Sequence, residues 1–405
     1  MNTTSKKSKP IKQSRCERSG SVSNEGGIAV ETLLDYVRWM EDFPISLTGF
    51  READALVLGV LSYFDLSPVF ADREEACVRD CLQMIENDTL KVMLTVKDDS
   101  YTQLLDAAAN SRRFGDLRMT DYVDVLLNDP PVQFAAVSFH DDANNTFLVF
   151  RGTDTSLAGW KEDFMISFTR TRAQSQALAY ANAHVDPSRR CYLIGHSKGG
   201  NEALFAAANL RDAKWDAVEH IFILDGPGLC PEVLDTSGMA RVNEKATHIV
   251  PTFSIVGKLF AADITDTRIV ASSASGFQQH SLATWGIDHG KLAIAEANDP
   301  TSLFVNATVD GWIDGMSMDE RVVLVDDLFD ALAASGAEHL DQLDDGGLAG
   351  LEKMLRRLRA SNDSTKKLMA ELPKQAFRQS LQNLKEKLAR EEKEEAPAEP
   401  APAEA

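Results

Sequence analysis

The run Gly195-His196-Ser197-Lys198-Gly199 carries the strongest chemical signal in the sequence. It spells G-x-S-x-G, follows the apolar run Tyr192-Leu193-Ile194, and leads through Gly200 into a helix-forming stretch from Glu202 to Leu210. A strand that turns sharply into a helix lifts a serine hydroxyl above the sheet edge. The flanking glycines remove side chains that would strike the neighbouring strand and helix. Ser197 is therefore the candidate nucleophile of a nucleophile elbow. A serine hydroxyl attacks a carbonyl only when a base takes its proton, and behind such an elbow the chain order is serine, acid, histidine.

Five histidines lie downstream of Ser197. His220 and His248 begin or lie within β-rich runs, and His339 lies in a helical stretch. His280 closes the polar loop Ser275-Gly276-Phe277-Gln278-Gln279, after the last predicted strand, with Trp285 available to pack beside it. It is the candidate general base, with His289 as the alternative. For the acid, Asp225 ends the apolar run Ile221-Phe222-Ile223-Leu224 and precedes Gly226-Pro227-Gly228. This puts it at the carboxyl edge of a strand, beside the site by the switch-point logic of open sheets, although a turn-forming Asp before Gly-Pro reads the same way. Asp263, after the next strand, is the rival. Acyl transfer also needs donors aimed at the developing oxyanion. The Lys198 N–H is one. Thr153, after Leu148-Val149-Phe150-Arg151-Gly152, offers both an N–H and a hydroxyl, and Asp154, Thr155 and Ser156 make the same loop a helix N-cap.

These residues need a scaffold. Apolar residues at helical spacing predict two helices between 31 and 66, broken at Pro44, and further helices over 74–88 and 102–128. The pattern then changes to β-rich runs at 134–139 and 146–150, separated by the turn residues of 141–145, which predicts a hairpin. Strands at 191–195, 220–224, 246–256 and 268–272 alternate with helices at 156–168, 173–184 and 199–212. Such alternation predicts a mainly parallel sheet covered by helices on both faces. The organisation read from the chain is a disordered basic arm (1–26), an N-terminal helical region (27–130), an α/β core (131–292), a C-terminal helical region (293–393) and a disordered acidic tail (394–405).

Composition narrows the function. The chain has 405 residues, 44% hydrophobic and 26% charged, which excludes wholly disordered and collagenous classes. Its 42 basic and 62 acidic side chains leave a net charge of −20, which opposes binding to nucleic acid. Five scattered cysteines without C-x-x-C pairs speak against zinc and a disulfide framework, and fit a reducing cytoplasm. No signal peptide or membrane-spanning run is read from the chain.

Phe150-Arg151-Gly152-Thr153, Trp160-Lys161-Glu162-Asp163 and Gly195 to Gly200 together resemble the F-R-G-[ST], W-x-x-D and G-H-S-x-G-G motifs of class 3 lipases, a branch of the α/β-hydrolases. More narrowly, G-H-S-K-G-G-N, L-D-G-P-G at 224–228, S-I-V-G at 254–257, Q-H-x-x-x-x-W at 279–285 and the segment Leu47 to Asp54 are similar to the Mbeg-like bacterial family of lipase-related proteins. That resemblance covers most of residues 30–370, with the lipase motifs confined to 147–285. It implies an α/β-hydrolase acting on a small-molecule or lipid acyl ester, with Thr153 as an oxyanion residue. One departure stands out: class 3 lipases place the triad Asp in a D-x-V-P segment, and the matching stretch here begins with Ser254. The acid must then come from elsewhere, with Asp225 one strand earlier, or be missing.

The combined expectation is a cytoplasmic, esterase or lipase-like α/β-hydrolase with helical additions at both ends, working through a Ser197 acyl-enzyme. His280 is the base, Asp225 orients it, Lys198 and Thr153 hold the oxyanion, and no metal or organic cofactor is required. The rival is a hydrolase fold that has lost turnover and serves as a binding or scaffold protein.

Overall fold

The computed structural model describes residues 31–94, 99–128, 131–153, 171–229, 233, 236–258, 264–299 and the single positions 317, 320, 323, 327 and 330. The helix expected at 156–168, both tails and almost all of the C-terminal helical region lie outside the described residues.

Eight strands form one sheet in consecutive order: β1 (Glu75–Cys77), β2 (Arg118–Asn128), β3 (Pro131–His140), β4 (Asn145–Phe150), β5 (Arg190–His196), β6 (Val218–Leu224), β7 (Ala246–Pro251) and β8 (Asp266–Val270). The first four pair antiparallel and β4 through β8 pair parallel. Two short strands, β9 (Ile287–Asp288) and β10 (Lys291–Leu292), make a separate hairpin. Among the described strands the order never reverses and there is no switch point; the candidate residues stand instead at the carboxyl ends of β5 and β6. The β3–β4 hairpin forms as its turn residues dictate. Asp141 Oδ1 accepts from the N–H groups of Ala143 (2.9 Å) and Asn145 (2.8 Å), and Asn144 takes the left-handed φ of 65°.

Period-two alternation divides the strands between two cores. Phe147, Val149, Ile194, Phe222 and Leu224 face one side, where α1 (Leu33–Trp39), α3 (Glu52–Leu61) and α5 (Ser100–Asn110) pack. Leu148, Phe150, Leu193, Ile221 and Ile223 face the other, against α6 (Arg172–His184), α7 (Lys198–Ala208) and α9 (Thr236–Asn243). The short helices α2 (Ile45–Thr48), α4 (Cys81–Glu86) and α8 (Asp212–Trp215) link these elements. Burial on both faces explains the near-continuous apolar runs of β4, β5 and β6. The architecture is that of an α/β-hydrolase-like sheet with an N-terminal helical layer.

Two predicted elements differ. The helix expected over 102–128 ends at Asn110, and 118–128 is strand β2, so the sheet begins inside the region read as helical. Its alternation is hidden because the register shifts between Thr120 and Val123, where Asp121 bulges out with φ 56°. Likewise 74–88 splits into the three-residue edge strand β1, a 3-10 turn and α4. The N-terminal helices share a core with the sheet and so form a layer of the same unit.

That layer is pinned by a buried ion pair. Arg113 Nη2 and Nε meet Asp54 at 2.5 and 2.6 Å, and its other donors reach the Phe43 carbonyl, the Thr48 hydroxyl and the Gly49 carbonyl. Asp54 also accepts from the Tyr36 hydroxyl at 2.8 Å and caps α3 through the Arg51 N–H at 2.7 Å. Thus Thr48, Gly49 and Asp54 of the segment Leu47 to Asp54 are the partners of one buried guanidinium.

Candidate active site

β5 ends at His196 and α7 begins at Lys198, so Ser197 alone makes the turn, at φ 57° and ψ −128°. A non-glycine residue in this region costs about 1–3 kcal/mol and persists only where its surroundings hold it. Here the Ser197 N–H donates to the Leu224 carbonyl at 2.9 Å, and its own carbonyl accepts from the Gly200 N–H at 2.8 Å. The glycines act as the sequence demands: a Cβ on Gly195 would lie 1.9 Å from the Gly199 oxygen, and one on Gly199 2.1 Å from the Phe150 oxygen. The helix can therefore press directly against β4 and β5.

Asp225 follows β6 with φ 45° and is 1% exposed. Its Oδ2 lies 2.6 Å from His280 Nδ1. A carboxylate only accepts, so the proton sits on Nδ1 and Nε2 is left as the basic nitrogen. Oδ1 accepts from the Ser254 hydroxyl at 2.5 Å and the Gly257 N–H at 3.2 Å. The serine at the D-x-V-P position thus supports the aspartate that stands one strand earlier. The sequence candidates Asp225 and His280 are brought together. Asp263 lies outside the described residues, as does His339. His289 is 93% exposed on its side chain and pairs with its neighbour Asp288. His220 meets Thr247 near the opposite ends of the strands. His248 is buried in the core, and desolvation pushes its pKa down to about 4.

Three ties hold the loop that carries His280. Gln279 Oε1 accepts from the Thr252 hydroxyl (2.8 Å) and the Phe253 N–H (2.9 Å), which anchors it to the end of β7. The fully buried Trp285 donates its indole N–H to the Gln279 carbonyl at 2.8 Å. The His280 carbonyl accepts from His196 Nε2 at 2.9 Å. On the acid side, Asn201 of α7 donates to the carbonyls of Gly228 (2.7 Å) and Pro227 (3.3 Å) and accepts from Gln174 Nε2 (2.8 Å). The last residue of G-H-S-K-G-G-N therefore fixes the L-D-G-P-G segment that holds the acid.

The loop after β4 begins with Arg151, whose guanidinium forks onto Asp124 of β2 with both contacts at 2.9 Å. Next comes Gly152, where a Cβ would lie 2.3 Å from the Tyr63 hydroxyl, 2.7 Å from the His196 carbonyl and 2.9 Å from Ser197 Cβ. Only glycine fits, and Thr153, 5% exposed, follows it in the chain beside the Ser197 turn. Lys198 opens α7, so its N–H projects from the positive end of an eleven-residue helix. Ser197, Lys198, Thr153 and the Asp225–His280 pair thus stand at the carboxyl end of β4, β5 and β6, residue types that could together support acyl transfer. Among the described residues no group of three or more His, Cys, Asp or Glu side chains could hold a metal ion.

Sequence reasoning assigned no role to Tyr63, Asp124 or Asn201, and noted Ser254 only as the residue that stands where class 3 lipases place the acid. Asn201 and Ser254 stand within the motifs themselves, which was the available signal; nothing local marks Tyr63 or Asp124.

The family model described as Mbeg1-like matches residues 108–330, more than half of the chain. No curated protein matches the sequence. Among solved structures, a fungal lipase–inhibitor complex presented as a model for interfacial activation is similar at 16% identity and a TM-score of 0.31, covering 54% of this chain and 77% of that one. M37 lipase is similar at 11% identity and a TM-score of 0.32, covering 52% of this chain and 69% of its own.

Proposed function

The chain belongs to the Mbeg1-like family, and from that premise and the geometry of its site we propose that it is a serine hydrolase cleaving a carboxylic ester or related acyl bond. Ser197 Oγ attacks the substrate carbonyl while His280 Nε2 takes its proton. The tetrahedral oxyanion is held by the Lys198 N–H and by Thr153. As it collapses, His280 passes the proton to the leaving alcohol and Ser197 keeps the acyl group. Water, activated by the same nitrogen, then releases the acid. Asp225 stays ionised throughout, holding the tautomer and stabilising the imidazolium.

The observation that carries this reading is the 2.6 Å Asp225–His280 contact beside a strained serine elbow. Neither feature serves folding: a buried charge and a positive φ both cost stability. The inactive-scaffold reading drew its support from the displaced acid, and the contact of Asp225 with His280 weighs against it. The substrate is a small-molecule or lipid acyl ester. A cytoplasmic location is favoured by Cys77, Cys81 and Cys191, which are all free thiols. Among the described residues no helix is long and apolar enough to cross a membrane.

Stopped-flow hydrolysis of a p-nitrophenyl ester tests the reading. A burst of about one p-nitrophenolate per protein is expected, abolished in Ser197→Ala with an unchanged melting temperature. Equal turnover in wild type and Ser197→Ala would contradict it.

A further inference from the structure

We propose that Tyr63 and His196 clamp the main chain of the general base, so that the N-terminal helical layer completes the catalytic apparatus. This rests on the serine-hydrolase reading above. His196 Nε2 lies 2.9 Å from the His280 carbonyl, and its Nδ1 lies 2.6 Å from the Tyr63 hydroxyl. A carbonyl only accepts, so Nε2 carries the proton, and in a neutral ring Nδ1 must accept from Tyr63. Burial keeps the ring neutral: His196 is 3% exposed and its pKa is pushed well below the ordinary histidine range, chiefly by desolvation. Tyr63 follows α3, is 1% exposed and meets the imidazole edge-on, with ring centres 5.6 Å apart.

Asp225 holds the His280 ring at Nδ1, and the residue sits on a 3-10 turn (Gly276–His280), a geometry with poorer hydrogen bonds than an α-helix. Where Nε2 points is set by the main chain that carries the ring as well as by the bond at Nδ1. An anchor on the His280 carbonyl fixes that main chain. The anchor is His196, the covalent neighbour of Ser197, with the two imidazole rings 4.6 Å apart. Base and nucleophile are thereby tied to one rigid element. Tyr63 holds the tie from the far side and touches the Gly152 position as well, so the elbow and the loop after β4 meet at one phenol, and the base loop is tied to it through His196. His196 and Tyr63 touch no reacting atom; they are positioning residues.

Two isosteric variants separate the halves of the clamp. His196→Gln places an amide donor where Nε2 was and keeps the tie to His280. His196→Asn places an acceptor where Nδ1 was, keeps the tie to Tyr63 and lacks the reach to His280. Turnover of His196→Gln should stay within about threefold of wild type, while kcat of His196→Asn falls on the order of 10–100-fold at nearly constant KM, the scale of a misplaced catalytic group. Tyr63→Phe should fall between them. The second readout needs no activity: the His280 Nδ1 proton, shielded in its bond to Asp225, should give a sharp downfield NMR resonance in wild type and His196→Gln, broadened or lost in His196→Asn. A sharp resonance in His196→Asn, or equal turnover of the two variants, overturns the clamp. An inert wild type that shows the expected resonance pattern would instead overturn the hydrolase reading and leave the clamp standing as a structural finding.

Discussion

Replacing Asp225 with asparagine probes the site more sharply than deleting it, because the surrounding donors dictate how the amide must sit. Oδ1 receives the Ser254 hydroxyl at 2.5 Å and the Gly257 N–H at 3.2 Å, so that position has to remain an oxygen. The amide nitrogen is then forced to face His280 Nδ1, which gives up its proton. The proton moves to Nε2, and the base can no longer accept from Ser197. Turning the amide over would set its NH₂ against the Gly257 N–H, at roughly 1–3 kcal/mol for the lost hydrogen bond, while the Ser254 hydroxyl can rotate to accept. Adding the lost carboxylate charge, turnover should fall on the order of 10³–10⁴-fold, about 4–5.5 kcal/mol of transition-state stabilisation. Ser254→Ala in the wild-type background should also lower turnover, by about tenfold, through loss of a charge-assisted hydrogen bond. In the Asp225→Asn background there is no charge for that hydroxyl to support, and the Gly257 N–H still holds the amide oxygen, so the same change should alter turnover by less than about threefold. Ester hydrolysis by the four proteins, with melting temperatures as the folding control, checks this dependence on the charge. Asp225→Asn within threefold of wild type, or a further tenfold loss on adding Ser254→Ala, would refute the assignment.

Gly152→Ala should lower turnover at least about a hundredfold, because its Cβ would lie 2.3 Å from the Tyr63 hydroxyl and 2.9 Å from Ser197 Cβ; kinetics at constant fold, checked by circular dichroism, reads this. Asp54→Ala leaves the Arg113 guanidinium buried without its partner and should cost about 3–5 kcal/mol in denaturant unfolding. Stability should also fall with acid. His248 titrates near 4 when folded against 6.5 when unfolded, so below 6.5 the unfolded chain binds the proton first, and up to about 3 kcal/mol is lost between those values. Unfolding of His248→Gln across that range should show a shallower slope.

What could be read from the sequence was local. The elbow was legible because Gly195, Ser197 and Gly199 lie within five residues, and the β3–β4 turn because Asp141 bonds within the turn itself and Asn144 takes its left-handed φ. His280 was legible by elimination, from chain order. Asp225 was legible as a strand-end carboxylate but not separable from Asp263, since the choice depends on Ser254 and Gly257, about thirty residues away, converging on its oxygen. Strand β2 was lost to helix because one bulge at Asp121 breaks the period-two pattern on which strand recognition depends. The Tyr63 contact to His196 spans 133 residues and joins elements that read as separate regions, so no spacing rule reaches it. Arg151 was legible as part of the F-R-G-[ST] motif, but its partner Asp124 lay in the misread strand.

The central claim, that Ser197 is an activated nucleophile, is tested most directly by peptide mapping after exposure to a fluorophosphonate. On the proposed reading, the strained elbow serine is the hydroxyl that the Asp225–His280 pair activates. A single adduct is expected on the peptide that contains Ser197, absent in Ser197→Ala and formed far more slowly in Asp225→Asn. No adduct on the folded wild-type protein under conditions that label a control esterase, or an adduct on another serine that persists in Ser197→Ala, would contradict it.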